Sequence, residues 1–281
     1  MSRQRIWLYR KYCLPWVSYT IKQNVTELEE RSIFVIRMAK TNFKNVAALW
    51  SMGKDSTTML SIARKAFLGK VPFPVIYIDN SIDFPETYQF RDDLVKKWKL
   101  DLIVAKSKIK PNLSGASCCG SNKSIALKKI MSEYGFDALI VSIRRDEHAI
   151  RAKERYVSPR DRDFKWNYKD QPAEMWDDYS QSPDSKGHVR VHPLLDFNEI
   201  DIWQYIQKNK VPVNTLYFSR NGFRYRSLGC THCTTAVKSN AKDVNEIIKE
   251  LENTSVEERS GRDQDKERKY SMQKLRELGY M

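Results

Sequence analysis

The sequence feature that most constrains the fold is an apolar stretch followed at once by a short loop of small and charged residues. Residues 46–50 are apolar, and residues 51–56 read Ser-Met-Gly-Lys-Asp-Ser. Small residues such as Ser51 and Gly53 allow backbone N–H groups to turn around an anion, and a helix predicted over residues 57–67 points its N-terminus at the same anion. The segment therefore predicts a strand, a phosphate-binding loop and a helix. The alternative is a strand-to-helix turn without a ligand.

The spacing of this loop excludes the common P-loop pattern, in which four residues separate two glycines before the lysine. It resembles the Ser-Gly-Gly-Lys-Asp-Ser signature of the PP-loop ATP pyrophosphatases, with Met52 in place of the first glycine. Members of that family cleave ATP between the α and β phosphates and adenylate an acceptor. The resemblance implies ATP and Mg²⁺ as cofactors, catalytic roles for Lys54, Asp55 and Ser56, and nucleotide binding by the whole loop, Ser51, Met52, Gly53, Lys54, Asp55 and Ser56.

Strands and helices alternate along most of the chain. Repeated βα units with continuous apolar strands predict a doubly wound α/β fold, with a mainly parallel sheet that helices cover on both faces. Ligands of such sheets bind at the carboxyl ends of the strands. Residues 151–187 are polar and contain prolines, which predicts a long loop or lid rather than core. The predicted helices are 26–39, 57–67, 84–98, 123–134 and 198–208, and the predicted strands are 46–50, 74–79, 102–105, 137–143 and 189–193.

The same pattern divides the chain of 281 residues into three parts. We expect a basic, aromatic arm over residues 1–25, a PP-loop α/β nucleotide-binding domain over 26–215, and a C-terminal segment over 216–281 that carries a Cys-x-x-Cys motif and a helical tail. No apolar run reaches the ~18 residues of a membrane span, and the N-terminus lacks the apolar region of a signal peptide. We therefore expect a cytoplasmic protein without membrane contact.

The charge of the chain favours an anionic partner larger than a single nucleotide. Lys and Arg number 49 against 35 Asp and Glu, a net charge of +14. Residues 1–26 and 217–242 contain no acidic residue, and aromatic residues in the first stretch could stack on bases. Nucleic acid is the leading candidate partner. The alternative is that the aromatic side chains pack the arm onto the domain while the basic groups stay solvated.

Four of the five cysteines lie in two pairs, Cys118-Cys119 and Cys230-x-x-Cys233. In a cytoplasmic protein such pairs favour metal or redox chemistry over structural disulfides. A four-thiolate zinc site normally uses the C-x₂-C spacing twice, whereas a four-iron cubane offers separate irons to adjacent thiolates. We therefore expect a [4Fe-4S] cluster, with zinc and unligated thiols as the alternatives. Cys13 remains as a spare thiol on the arm.

From residue 30 onward the chain resembles the small subunits of bacterial sulfate adenylyltransferases, within the phosphoadenylylsulfate reductase superfamily and its adenine nucleotide alpha hydrolase-like fold. The family-like segments are 51–56, 64–67, 72–74, 144–147, 151–155, 201–206 and 226–230. The resemblance implies nucleotide binding by Asp79. It also places Arg144, Arg145 and the basic residues of 151–155 near the triphosphate or an acceptor anion, with catalytic roles for Arg144 and Arg145. Guanidinium groups suit phosphate and sulfate. The alternative is ion pairing of Arg151 with Glu154, or of Arg155 with Glu147.

The cysteine motifs depart from those small subunits, which lack both pairs. They resemble instead the cluster ligands of assimilatory adenylylsulfate reductases. Those reductases, however, use a nucleophilic cysteine near the C-terminus, and this chain has no cysteine after Cys233.

A PP-loop, an iron–sulfur site and excess positive charge together resemble the ATP pyrophosphatases of bacterial DNA phosphorothioation systems. The resemblance implies a cysteine desulfurase, DNA and other modification-system subunits as partners. The arm and residues 217–242 are then the expected DNA contacts. The alternatives are a sulfate adenylyltransferase subunit with a GTPase partner, and a non-catalytic nucleotide-binding scaffold for a desulfurase. The sequence leaves the acceptor, the sulfur donor and the oligomeric state open.

Overall fold

A six-stranded sheet organises the part of the chain that the computed structural model describes, namely residues 24–106, 117–147, 151, 153–167, 174, 187–254 and 258. Its strands run in the spatial order third, second, first, fourth, sixth, fifth. Neighbours are parallel except for the last pair, which is antiparallel. The predicted doubly wound, mainly parallel fold is confirmed. The strands are β1 (Val46–Leu49), β2 (Val75–Asp79), β3 (Leu102–Lys106), β4 (Ala138–Ile140), β5 (Val157–Arg160) and β6 (His188–Val191).

Six α-helices lie in the described part of the chain, and two of them begin earlier than the sequence pattern predicts. The helix after the loop begins at Lys54, and the fourth helix begins at Ser117, so that the Cys118-Cys119 pair falls in its first turn. Both early turns lack apolar periodicity, the signal from which a helix is predicted. The helices are α1 (Val25–Asn42), α2 (Lys54–Ala66), α3 (Pro85–Trp98), α4 (Ser117–Tyr134), α5 (Glu199–Asn209) and α6 (Val244–Glu252).

Helices cover the central strands. All four residues of β1 are buried, as expected for a strand with helices on both faces. α1 packs against β4 and β6, α4 packs against β2 and β3, and α2 contacts both α1 and α5. The carboxyl ends of β1, β2 and β4 therefore open at one edge of the sheet, where their following loops meet.

The expectation that residues 151–187 form a loop rather than core is wrong for part of the segment. β5 pairs with β6 through residues 157–160, and both Tyr156 and Trp166 are buried. The strand contains Pro159, which an edge strand tolerates because no neighbour needs its missing N–H. Buried Arg160 ion-pairs with Glu154 at 3.1 Å and donates to Ser158 Oγ at 2.6 Å. Buried polar residues that form hydrogen bonds and ion pairs with one another leave no apolar pattern in the sequence, so this strand was not predicted.

The C-terminal segment contacts the sheet domain through helix packing. α6 packs against α5, and a short antiparallel pair, β7 (Phe223–Arg224) and β8 (Val237–Lys238), precedes it. The domain boundary at 215/216 stays a prediction. Most of the arm, Cys13 and residues 259–281 lie outside the described residues. Within the described residues, every helix is too short or too polar to cross a membrane.

His188, at the start of β6, is a buried histidine among cations. It is 4% exposed and packs against the Phe164 ring at 4.2 Å between centroids, and its Nε2 has no hydrogen-bond partner in the described part of the chain. Burial, followed by the charges of Arg190, Arg160 and Lys128, lowers the pKa of His188 to about 2. The folded protein therefore keeps this imidazole neutral at a pH where the unfolded chain protonates it.

We predict a loss of stability in acid that depends on His188. The contribution of the neutral side chain is complete above the unfolded pKa of 6.5 and is lost as pH falls toward the folded value. The slope is about 1.4 kcal/mol per pH unit below the unfolded pKa. Urea unfolding from pH 7 to pH 5 should show a shallower acid loss for His188→Gln than for the wild type. The exposed His232→Gln serves as the matched control and should retain the wild-type slope; equal slopes for all three proteins would contradict the prediction.

Candidate active site

The loop between β1 and α2 is held in shape by the side chain of Ser56. The Ser51 N–H donates to Ser56 Oγ at 3.2 Å, and the Ser56 hydroxyl donates to the Gly53 carbonyl at 3.2 Å. Trp50, directly after β1, donates from its indole N–H to Thr57 Oγ1 at 3.1 Å. The loop and the first turn of α2 therefore form one hydrogen-bonded unit, in the order that the sequence predicts.

Met52 occupies a left-handed backbone conformation within this loop. Its φ is +61°, and its side chain is buried at 1% exposure. Left-handed backbone is costly for residues with a Cβ, by about 1–2 kcal/mol. This conformation explains why glycine stands at the corresponding place in the signature, and burial of the Met52 side chain offsets the strain here.

Lys54, the first residue of α2, is buried and bound on several sides. Its Nζ forms ion pairs with Glu258 and, at 3.4 Å, with Asp55. Its backbone N–H donates to the Tyr217 hydroxyl at 2.8 Å. Burial lowers the pKa of Lys54, but the negative charges of Asp55, Glu258 and Glu199 together raise it by more. The pKa of Lys54 therefore lies above its ordinary value. The ammonium group therefore stays charged at the N-terminus of α2.

Arg144 follows β4 and meets the same cluster from the neighbouring strand. The side chain is fully buried, ion-pairs with Asp55 and Glu258, and donates from Nε to Asp146 at 2.9 Å. Burial raises the pKa of Glu258, but Arg144 and Lys54 lower it more, so its pKa lies far below the ordinary value. A negatively charged carboxylate thus bridges two buried cations at the end of the loop.

The other predicted basic residues form different contacts. Arg145 ion-pairs with Asp196, and Arg151 ion-pairs with Glu147. The segment from Arg144 to Arg155 therefore contains ion pairs, but they are not the pairs that the sequence suggested. Glu147 pairs with Arg151, and Glu154 pairs with Arg160. Of the predicted arginines, Arg144 is the one that the described contacts bring to Lys54.

The loop after β2 carries the predicted Asp79 and an unexpected neighbour. Asp79 accepts hydrogen bonds from the Ser81 N–H at 2.7 Å and from the Tyr88 hydroxyl at 3.0 Å. Asn80 is 1% exposed, and among the described residues neither its amide nitrogen nor its amide oxygen has a hydrogen-bond partner. A buried amide without partners is rare and calls for a ligand, an ordered water or a strained site.

The Cys-x-x-Cys motif lies in a tight turn beside that same loop. The sulfur atoms of Cys230 and Cys233 lie 3.1 Å apart; Cys230 is fully buried and Cys233 is half-buried. The Thr231 N–H donates to the Ile82 carbonyl at 3.0 Å, which ties the turn to the segment after β2. The side chains of Cys118 and Cys119 lie outside the described residues, so the structure places two of the four predicted thiols.

One pocket joins the PP-loop to the cysteine turn. Its lining includes Ser51 of the loop, Asp83, Lys123 of α4 and Gly229, next to Cys230. Burial raises the pKa of Asp83, while Lys123 lowers it and Cys233 is among the groups that raise it. Lys123 of α4 and Cys233 of the cysteine turn therefore both act on the charge of the same acidic side chain.

Comparison with known proteins assigns the family. A family model described as the phosphoadenosine phosphosulfate reductase domain matches residues 45–236. The chain belongs to this family. Over 92% of its length it is 36% identical to sulfate adenylyltransferase subunit 2 of Aeromonas hydrophila and 37% identical to that of Saccharophagus degradans, covering 97% of each relative.

Solved structures share the fold. A phosphoadenylyl-sulfate reductase from Candida auris matches with a TM-score of 0.51 at 18% identity, over 75% of this chain and 96% of the other. The FMN adenylyltransferase of Candida glabrata, in complex with FAD and pyrophosphate, matches with a TM-score of 0.52 at 16% identity, over 76% and 68%. These matches confirm the expected fold. The family model and the relatives confirm the expected family and enzyme class, an adenylyl-transferring PP-loop enzyme.

Sequence reasoning missed the residues that reach the loop from far along the chain. Tyr217 lies in a single 3₁₀ turn, 163 positions from Lys54, and Glu258 lies in a charged segment without any motif. Arg226 accepts from Lys54 through its carbonyl and binds Glu199 through its side chain. No local signal marks these contacts, because each depends on how the C-terminal segment folds back onto the sheet.

We predict an inverted order of stability at position 52. Both Met52→Gly and Met52→Ala lose buried side-chain contacts, but only glycine relieves the left-handed strain. Met52→Gly should therefore be more stable than Met52→Ala by about 1 kcal/mol in urea unfolding. At exposed Asp93, in the interior of α3, the glycine variant should be less stable than the alanine variant by about 1 kcal/mol. A Met52→Ala protein more stable than Met52→Gly would contradict the backbone account.

Proposed function

We propose that this enzyme is an ATP pyrophosphatase that converts ATP to AMP and pyrophosphate and thereby activates a phosphate for sulfur insertion, with DNA phosphorothioation by a cysteine desulfurase system as its pathway. The observation that carries the proposal is the shared pocket, lined by Ser51 of the PP-loop and by Gly229 of the cysteine turn. An adenylation site and a pair of thiols beside one cavity suit a reaction that couples phosphate activation to sulfur chemistry.

The charges at the loop suit cleavage between the α and β phosphates. Negative charge develops on pyrophosphate as it leaves, and buried cations such as Lys54 and Arg144 stabilise such charge more strongly than water does. The N-terminus of α2 adds the partial positive charge of its backbone. Asn80, whose amide atoms both lack a partner within the described residues, offers a donor and an acceptor to an adenine base at the carboxyl end of β2.

Magnesium has suitable ligands beside these cations. Asp55, Glu147 and Glu258 each offer a carboxylate oxygen, and the three oxygens lie within 4.8 Å of one another. Hard oxygen ligands are those that Mg²⁺ prefers, and the ion usually arrives with the substrate phosphates. When bound, Mg²⁺ supplies further charge neutralisation at the leaving pyrophosphate.

Adenylation solves the leaving-group problem of replacing a phosphate oxygen by sulfur. A non-bridging oxygen of the acceptor phosphate attacks the α-phosphorus of ATP, and pyrophosphate leaves. A sulfur nucleophile then attacks the acceptor phosphorus, and the activated oxygen departs as part of AMP. Lys54 and Arg144 act in the first step by stabilising the pyrophosphate, and the cysteine turn lies beside the pocket where sulfur would enter.

The thiols fit an iron–sulfur cluster as far as the structure describes them. Cys230 and Cys233 lie close together and pack with Ile82, an apolar and partly buried surrounding that suits a cluster. Cys118 and Cys119 would supply the other two thiolates of a [4Fe-4S] site. When bound, the cluster would supply iron that can bind sulfur.

The described structure narrows the expected DNA contacts. Three arginines of the acid-free stretch 217–242 already have acidic partners: Arg220 pairs with Glu86, Arg224 with Glu250, and Arg226 with Glu199. Lys238 and Lys242 remain exposed there. The proposed contact with DNA therefore depends mainly on the arm, which lies almost wholly outside the described residues.

We predict that Lys54→Met abolishes ATP cleavage. Loss of a preorganised positive charge at a developing anion typically lowers kcat by about 10²–10³. Chromatography of ATP, AMP and pyrophosphate after incubation with Mg²⁺, a desulfurase and DNA gives the rate, and circular dichroism checks the fold. The exposed Lys97→Met of α3 should retain wild-type activity. A wild-type enzyme that never produces AMP would instead favour a non-catalytic scaffold.

We predict that Cys233→Ser spares ATP binding but abolishes sulfur transfer. Mass spectrometry of digested DNA would detect the phosphorothioate, and anaerobically purified wild type should contain about four irons per chain. Cys13→Ser should transfer sulfur normally.

A second candidate is the small subunit of a sulfate adenylyltransferase, which the relatives at 36–37% identity favour. Iron-independent release of pyrophosphate that requires sulfate and a GTPase partner would establish this candidate and contradict the proposed sulfur insertion.

A further inference from the structure

Glu258 lies in a segment that no sequence motif marks, and besides its place among the carboxylates suited to Mg²⁺ it pairs with two buried cations. One carboxylate oxygen pairs with Lys54 Nζ and the other with Arg144 Nη2. The side chain is 5% exposed, and its two partners are 1% and 0% exposed. The residues on either side, 255–257 and 259–281, lie outside the described part of the chain.

A carboxylate that spans an ammonium and a guanidinium group imitates a bound phosphate. Both anions present oxygens that accept charge-assisted hydrogen bonds from separate donors. The donors in question are the two cations assigned above to pyrophosphate. An external phosphate group and the Glu258 carboxylate therefore require the same donors, and both cannot hold them with full contact.

We propose that Glu258 is an internal anion that competes with phosphate groups at the PP-loop, so that pyrophosphate binds by displacing its carboxylate. The inference rests on the proposed function, since it takes Lys54 and Arg144 as the phosphate ligands. The bound carboxylate keeps two buried cations paired when no nucleotide is present. It also weakens the hold on pyrophosphate after cleavage, which favours product release.

Competition of this kind has a quantitative signature. The apparent dissociation constant of a ligand equals its intrinsic value divided by the fraction of protein whose site is vacated. If the carboxylate holds the site in 90–99% of molecules, affinity falls by about 10- to 100-fold. The factor is the same for every anion that must displace Glu258, because the cost belongs to the protein and not to the ligand.

The test is isothermal titration calorimetry of the full chain with inorganic pyrophosphate and, separately, orthophosphate, both in EDTA so that no metal contributes. Glu258→Gln keeps the shape of the side chain and removes its charge. It should bind pyrophosphate at least about tenfold more tightly than the wild type, and orthophosphate more tightly by a similar factor. Glu252→Gln, at an exposed site on α6, is the matched control and should bind as the wild type does.

A second variant covers the case in which Glu258→Gln does not fold. Glu258→Asp keeps the charge but shortens the side chain by one methylene, which weakens its hold on both cations at once, so it should tighten pyrophosphate binding to a smaller extent. If the wild type binds pyrophosphate and neither variant binds it more tightly, the inference about Glu258 is overturned while the proposed function stands. Failure of every protein to bind pyrophosphate would overturn the inference and the proposed function together.

Discussion

The burial of Lys54 is the interaction on which the rest of the site depends. An ammonium group is costly to remove from water unless carboxylates pair with it, and removing one partner from a buried pair typically costs about 3–5 kcal/mol. Asp55 supplies one carboxylate from the same turn, and Glu258 supplies the other from the C-terminal segment. Tyr217 and the Arg226 carbonyl complete the enclosure. The lysine of the loop thus ties the C-terminal segment to the carboxyl edge of the sheet, and it also places the cysteine turn, a few residues after Arg226, beside the pocket.

The fold could be predicted wherever the buried residues are apolar and form a continuous run or recur at helical spacing. Strands such as β1 and β2 are continuous apolar runs, and α1, α3 and α5 have caps or apolar faces that define them within a few residues. The prediction was wrong where polar groups are buried. β5 contains Arg160 and Ser158, which stabilise each other and Glu154 in the core, so the segment looks like solvent-exposed loop in sequence. The early start of α4 was missed because residues 117–122 carry no apolar periodicity.

The site divides in the same way between local and distant contributions. The loop from Ser51 to Ser56 could be read from sequence because its chemistry is local: a strand, small residues, one lysine and a helix N-terminus. Arg144 was predicted from its resemblance to the family, and the structure brings it to the same acid, Asp55, that Lys54 contacts. Tyr217 and Glu258 could not be predicted, since their roles depend on contacts 163 and 204 positions away along the chain. Met52 departs from the family signature, which has glycine at this position. The left-handed backbone found at Met52 is the conformation that glycine adopts most easily.

Under the proposed function, the loop from Ser51 to Ser56 directs cleavage of ATP between its α and β phosphates. ATP labelled with ³²P at the γ position distinguishes this cleavage from ordinary hydrolysis at the terminal phosphate. Thin-layer chromatography should show the label in pyrophosphate, in amounts equal to the AMP formed, when the enzyme acts with its acceptor and a sulfur donor in pyrophosphatase-free reagents. Label that appears directly in orthophosphate, with ADP as the nucleotide product, would contradict the account.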